Sequence, residues 1–221
     1  MAAAIHALRD LSPSASDLAE WSRAVEVEEM RIAGGRQDHY AAAFGGALGL
    51  SFGASVDVER IVLSSAARSA LEQRCLLVYS GESRISGVTI TAVLDGYRDR
   101  AGHVLRALDQ MGTLARQMRD ALVAGDIDGL AALVDEHWRH QRTLHPAITT
   151  ERIDAIEHAA RRVGALGLKA LGASGGGCMI VFASDSDVDR VARSISPLAE
   201  ILPWQVDDIG VRVHEGDSLA G

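Results

Sequence analysis

The sequence predicts an α+β fold, and three observations carry that prediction. Short apolar runs with strand character fall near residues 47–63 and 74–80. Apolar residues then recur at spacings of three and four from about 88 to 144, the period of buried helices. Further short runs follow a glycine-rich segment after residue 170. Strands and helices thus come in blocks rather than strict alternation, which favours α+β over a parallel α/β sheet. Of 221 residues, 48% are hydrophobic, enough for a packed core and against disorder. A net charge of −8 with only 4% aromatics argues against a nucleic-acid surface, which needs basic patches and stacking rings.

In chain order, Ala2 to Leu11 reads as a helix that Ser12-Pro13-Ser14 interrupts. Ser14 or Ser16 caps the next helix, which runs to about Ile32 with Leu18, Trp21 and Val25 on its apolar face. Glu26, Glu28 and Glu29 lie on this helix, and a solvated acidic face accounts for at least two of them. Then comes Gly34-Gly35-Arg36-Gln37-Asp38-His39-Tyr40-Ala41-Ala42-Ala43-Phe44-Gly45-Gly46. Its glycines permit close approach of a ligand. Arg36 offers a planar fork for a phosphate or carboxylate. Asp38, near the start of a short helix, can accept a proton or hold a hydroxyl. From Asp38 alone, a simple turn cap is the better explanation.

Ala47 to Phe52 and Val56 to Leu63, with Gly53-Ala54-Ser55 between them, predict a hairpin. Ser64 to Gln73 is a partly helical connector, and Arg74 to Ser80 a buried strand. Gly81-Glu82-Ser83-Arg84-Ile85-Ser86 follows; a Ser/Arg pair at a strand end suits a phosphate or polyhydroxyl group. The helical stretch from Val88 to Leu144 breaks near Gly125-Asp126, and Leu105, Leu108, Met111, Leu114, Met118 and Leu122 mark its core stripe. His137, His140 and His145 invite a zinc reading. No His-Glu-x-x-His pattern accompanies them, so a solvated helix end is expected. Thr149 or Thr150 caps a helix from Glu151 to Val163.

Lys169-Ala170-Leu171-Gly172-Ala173-Ser174-Gly175-Gly176-Gly177 reads as a loop whose amides can cradle an anion. A strand over 179–183 follows, with Cys178 buried at its start, then a helix from Asp187 to Ile195. Two last strands are expected over 201–206 and 209–214. The loop contains Gly-x-Ser-x-Gly, but a strand-like run follows it where a hydrolase elbow needs a helix. No Gly-x-x-x-x-Gly-Lys-Ser/Thr loop is present. Cys75 and Cys178 form no disulfide or metal framework by spacing, which suits a reducing cytoplasm. No stretch has the length of a signal sequence or a membrane span.

The two glycine-rich stretches together resemble the GHMP small-molecule kinases, and more closely the D-glycero-D-manno-heptose 7-phosphate kinases. There a Gly-Lys-Gln-Asp-Gln-Tyr-Ala-Ala-Ala segment precedes a Gly-Gly pair. Here it reads Gly35-Arg36-Gln37-Asp38-His39-Tyr40-Ala41-Ala42-Ala43, then Gly45-Gly46. The Ser83-Arg84 element and the Gly172–Gly177 loop occur in the same order. The resemblance runs from about residue 1 to 214. It implies a GHMP-kinase-like fold: residues 1–65 as the remnant of a ribosomal protein S5 domain 2-like N-terminal domain, and 66–221 as a ferredoxin-like C-terminal domain.

It also implies an ATP- and Mg2+-dependent kinase acting on a small sugar or sugar phosphate, with no membrane partner. Asp38 is implied as the catalytic residue. Arg36, Gln37, Ser83 and Arg84 are implied to bind the acceptor. Gly172, Ala173, Ser174, Gly175 and Gly176 would meet phosphate, and Glu26 the magnesium. Arg31 stands where a glycine is usual. The family's Gly-Leu-Gly-Ser-Ser-Ser-type phosphate loop and the strands before it have no counterpart in this sequence, which opens in a helix like the one after that loop. Two functions are therefore expected to compete: a sugar kinase, and a binding or regulatory module without transfer activity.

Overall fold

A computed structural model describes residues 2–82 and 86–213 of the chain. It divides into two compact units, residues 1–60 with 206–221, and residues 61–205.

The first unit holds α1 (Ala2–Ala7), α2 (Ala15–Ala24), α3 (Gln37–Phe44), β1 (Ala47–Phe52) and β2 (Val56–Ile61), whose last residue opens the second unit. Ser14 starts α2 through a reciprocal capping box. Its Oγ accepts from the Asp17 amide at 3.1 Å, and the Asp17 carboxylate accepts from the Ser14 amide at 3.1 Å. The helix expected to reach Ile32 ends its α form at Ala24 and passes into one π turn, Val25–Glu29. Arg31 then takes φ +55°, the left-handed conformation that suits a glycine. Leu18 and Ala19 of α2 pack on Tyr40 and Ala43 of α3, with Phe44, Leu50, Val56 and Val58 around them. β1 and β2 form the expected hairpin. The last strand expected over 209–214 is absent among the described residues. Instead the Gly46 amide donates to Asp207 O at 2.6 Å, and the Val211 amide to Ala43 O at 3.3 Å. This segment docks on the end of a helix, not on a sheet edge.

The second unit is built on a four-stranded sheet in the order β4-β5-β3-β6. Its strands are β3 (Cys75–Tyr79), β4 (Gly167–Ala170), β5 (Cys178–Phe182) and β6 (Glu200–Leu202), and all neighbours are antiparallel. With α8 (Glu151–Arg162) and α9 (Val188–Ile195), the order β3-α8-β4-β5-α9-β6 is the β-α-β-β-α-β arrangement of ferredoxin-like folds. α4 (Ser65–Arg74) precedes β3, and α5 (Ser86–Arg98), α6 (Gly102–Ala124) and α7 (Ile127–Arg142) are inserted after it.

Val78, Met179, Val181, Leu168 and Ala170 turn to one core with Ile153, Ile156, Val191 and Ile195 of the two sheet helices. Cys75 and Phe182 face the other way, onto Ile127, Leu130, Ala131 and Val134 of α7. Burial pushes the Cys75 thiol up to about 12, so it is inert. Cys178, expected to be buried, is only partly so.

Three further expectations shift. The helical stretch breaks at 99–101 as well as at Gly125, because Arg100 turns left-handed at φ +53° and the Ala101 amide closes back on Gly96 O. Lys169 and Ala170 belong to a strand, not to the loop, through pairing with Ile180 and Met179. β6 stops at Leu202 rather than Val206, since Pro203 has no amide for a ladder.

Candidate active site

The motif around Asp38 occupies the first turn of α3. Arg36 is the residue before the helix and makes no side-chain cap. Asp38 does not cap it either: it is exposed, and its carboxylate bonds to no described residue. It stands at the helix end whose peptide dipoles favour an anion. Gln37 is likewise exposed.

The residues around Asp38 are held. Tyr40 is 3% exposed, and its hydroxyl donates to Glu20 Oε1 at 2.8 Å. Burial first, then that hydrogen bond to Glu20, raises the Tyr40 phenol above its ordinary value. Arg36 Nη1 lies 3.8 Å from the same Glu20 oxygen, and Arg23 Nη1 lies 3.9 Å from the other. Glu20 is thus the hub of the cluster, and the sequence reading missed it. No spacing rule links positions 20, 36 and 40; only the packing of α2 on α3 does.

Glu26 sits in the π turn with its Oε2 2.7 Å from His39 Nε2. A Cβ at Gly34 would lie 3.3 Å from Glu26 Oε1, so the glycine leaves that oxygen room. Among the described residues no three His, Cys, Asp or Glu side chains cluster as a metal cage. Mg2+ commonly takes one or two carboxylates and completes its shell with phosphate and water, so the single carboxylate of Glu26, with Oε1 open, fits that donor pattern.

The Gly172–Gly177 loop lies in the second unit, between β4 and β5. Not all its amides are available to a ligand. Gly175 N donates to Ile148 O and Gly177 N to Glu82 O, both at 2.9 Å. Those of Ala173, Ser174 and Gly176 make no backbone bond among the described residues. Gly176 has φ +131°, and a Cβ there would stand 3.0 Å from Glu82 O, so only glycine fits. Thr150, the cap of α8, donates its hydroxyl to Glu82 Oε2 at 2.7 Å. Ser83 and Arg84 lie outside the described residues.

His137 is not on a solvated helix end. Burial, then the nearby charges of Lys169 and His140, pull it down to about 4. His145 is used locally, its Nδ1 accepting the Ala147 amide at 3.1 Å. Among the described residues no helix is long and apolar enough to cross a membrane.

Comparison with known proteins agrees with this architecture. Residues 118–197 match the family profile "GHMP kinases C terminal". The chain is 27% identical over 170 residues to a D-glycero-alpha-D-manno-heptose 7-phosphate kinase of Campylobacter jejuni, covering 75% of this chain and 49% of that protein. It is 28% identical over 125 residues to a bifunctional fucokinase/GDP-fucose pyrophosphorylase of Arabidopsis thaliana, covering 57% of this chain and 12% of that protein. The chain therefore spans about half or less of the length of these relatives. Its fold superposes on a D-glycero-D-manno-heptose 1-phosphate kinase of Bacteroides thetaiotaomicron with TM-score 0.71 at 21% identity, over 96% of this chain and 60% of that one. It also superposes on a Lactococcus lactis galactokinase complexed with galactose, with TM-score 0.69 at 14% identity, over 93% and 62%. Residues 118–197 thus match the GHMP kinase C-terminal profile, and the fold of the chain is that of the GHMP kinases.

Proposed function

We propose that this chain serves an ATP-dependent sugar or sugar-phosphate kinase activity of the GHMP type, with a heptose 7-phosphate-like acceptor phosphorylated at its anomeric hydroxyl. In this reading the family's C-terminal domain begins near residue 66. One observation carries the reading: Asp38 is the acidic group of its motif that remains exposed and unbonded among the described residues, while Arg36, His39 and Tyr40 around it are anchored by Glu20 and Glu26.

Asp38 takes the proton of the acceptor hydroxyl as that oxygen attacks the γ-phosphorus of ATP and the bond to ADP breaks. Arg36 and Gln37 orient the acceptor, together with Ser83 and Arg84. The loop from Gly172 to Gly176, through Ala173 and Ser174, meets phosphate with the amides left unspent. Glu26 would hold Mg2+, which would supply positive charge to the phosphates. Phosphoryl transfer depends on positioning and electrostatics more than on covalent chemistry, so an anchored cluster around one free carboxylate suits it.

The test is Asp38→Asn with ATP, Mg2+ and a panel of sugars and sugar phosphates, followed by 31P NMR. Turnover is expected to fall at least ~1,000-fold with circular dichroism unchanged, the range of a lost general base combined with lost positioning. Near-normal turnover removes Asp38 from the mechanism.

A second reading is a sugar-binding or regulatory module. It predicts sugar binding without transfer, and Mg2+-dependent transfer by these 221 residues overturns it.

A further inference from the structure

The end of α3 opposite Asp38 is finished by residues distant in the chain. A helix leaves its last carbonyls without donors of its own. Two of those in α3 are answered from outside: Val211 N donates to Ala43 O at 3.3 Å, and Arg60 Nη2 to Phe44 O at 2.7 Å. Just past the helix, Gly46 N donates to Asp207 O at 2.6 Å. Residues 206–213 thus cross the helix end as a strap, within the first unit.

The crossing is backbone on backbone. A Cβ at Gly45 would run into Gly210 N and stand 2.6 Å from Asp207 O. One at Gly210 would stand 2.6 Å from Phe44 C and 2.7 Å from Gly45 N. Neither position takes a side chain unless the two segments part. Of the glycines expected to admit a ligand, Gly45 admits the chain's own backbone. Asp207 shapes the strap: its Oδ1 accepts the Ile209 amide at 3.0 Å and lies 3.5 Å from Arg212 Nη2.

Apolar burial holds the strap only weakly. Ile209, Val211 and Val213 are 58%, 41% and 49% exposed. With Leu11, Leu18 and Ala43 they line a cavity of about 390 Å³ instead of a packed core. A segment with so little burial opens locally at small cost and adds little to global stability. Two glycines fitted to each other at such a segment are better explained by placement than by stability.

The placement concerns the direction of α3. Tyr40 is fixed to Glu20, and His39 lies against Glu26, both within one turn. Contacts within one turn still let a short helix tilt, whereas a second hold at its far end sets its axis. Two residues of about 1.5 Å rise plus a side chain put the Asp38 carboxylate roughly 6 Å from Tyr40. A tilt of about 10° then moves it about 1 Å, and misplacement on that scale can cost about 100-fold in rate.

We propose that residues 206–213 form a clasp, with Gly45, Gly210 and Asp207 as positioning residues that set the direction of α3 and through it the place of Asp38. The effect on phosphoryl transfer rests on the kinase reading; the hold on Asp38 does not.

The test compares the full chain with Gly210→Asn, Gly46→Asn, Asp207→Ala and Asp207→Asn. Gly46 shares φ +72° with Gly210, a conformation asparagine tolerates. A Cβ at Gly46 meets only Asp208 Oδ1, at 3.8 Å, so the two variants differ in the close approach. The readouts are amide hydrogen exchange over 37–46, the thermal midpoint, and the 13C carboxyl signal of Asp38, assigned by its loss in Asp38→Asn. Steady-state kinetics use ATP, Mg2+ and the acceptor turned over fastest in the sugar panel above.

Gly210→Asn is expected to shift the Asp38 signal and to speed exchange over 37–46 at least ~10-fold. Asp207→Ala does the same more weakly. Asp207→Asn, which keeps an acceptor for the Ile209 amide, restores the wild-type pattern, and Gly46→Asn never leaves it. In Gly210→Asn kcat is expected to fall at least ~10-fold and the acceptor KM to rise at least ~3-fold, with the ATP KM unchanged. A smaller folded fraction would lower kcat alone. A lower midpoint with the Asp38 signal unmoved in Gly210→Asn and Asp207→Ala marks a simple helix cap and overturns the clasp. So does an equal effect in Gly46→Asn. Should Gly210→Asn fail to fold, Asp207→Ala decides, since that side chain is 60% exposed. If the Asp38 signal moves as expected but the wild type transfers no phosphoryl group, the clasp stands and the kinase reading falls. Transfer by the wild type with an unmoved signal in the variants gives the reverse.

Discussion

At the residue scale, the motif separates groups that hold from groups that are held. Glu20 anchors Tyr40 and Arg36, and Glu26 anchors His39. Asp38 has no described partner, so its removal costs the fold little, within about 0.5 kcal/mol for an exposed substitution. This is why Asp38→Asn separates chemistry from stability. Arg31 presents the opposite case. It pays for φ +55° with the crowding of its Cβ against the backbone, about 1 kcal/mol or slightly more. Arg31→Gly relieves that crowding while loosening the unfolded chain, which offsets part of the gain. A net stabilisation of about 0.5 kcal/mol is expected in urea unfolding, and a clear destabilisation would show that the Arg31 side chain contributes contacts of its own.

At the element scale, α7 organises the second unit. Asp126 caps it, its Oδ1 accepting the Gly129 amide at 2.8 Å. Its apolar stripe covers one face of the sheet, and Trp138 Nε1 reaches Glu157 of α8 at 3.0 Å. Asp135 is 3% exposed and takes Arg139 and Arg161, each at 2.6 Å. Breaking a fully buried pair typically costs about 3–5 kcal/mol. Here the Arg139 side chain is 69% exposed and the Arg161 side chain 36%, so both guanidiniums can turn to water when the carboxylate is gone. Asp135→Ala is therefore expected to destabilise by about 2 kcal/mol, between the buried and surface limits. Chemical denaturation measures it; a loss under about 0.5 kcal/mol would mean that α7 and α8 are joined by their apolar contacts alone.

At the scale of the whole molecule, the two compact units differ in how much core they own. Residues 61–205 carry both large clusters, on the two faces of one sheet. The unit of residues 1–60 and 206–221 has the small cluster of Leu18, Ala19, Tyr40 and Ala43. Small chains bury a lower fraction of their surface and are marginal alone. A fragment of residues 61–205 is expected to unfold cooperatively by itself, whereas residues 1–60 alone are expected to lack a sigmoidal thermal transition. A non-cooperative melt of the larger fragment would show that its core needs the rest of the chain.

Local chemistry by itself determined much of this protein. The α+β order, the hairpin expected over 47–63, β3 and the break at Gly125 follow from spacing and turn residues within a few positions, while the structure selects Ser14 over Ser16 and Thr150 over Thr149 as caps. The Gly35–Ala43 motif also led to the family, and to Asp38 near a helix start. Tertiary structure decided the rest. β4 is four residues with a glycine and a lysine, too short for a periodic signal, and it exists because β5 pairs with it. The run over 209–213 has strand composition but meets a helix end instead of a sheet edge. Glu20 as an anchor, and the unpartnered buried atoms of His137, Gln141 and Ser174, depend on groups far apart in the chain. Periodicity reports only which side of an element is apolar; which polar groups meet, and which are left without a partner, depends on how the elements pack.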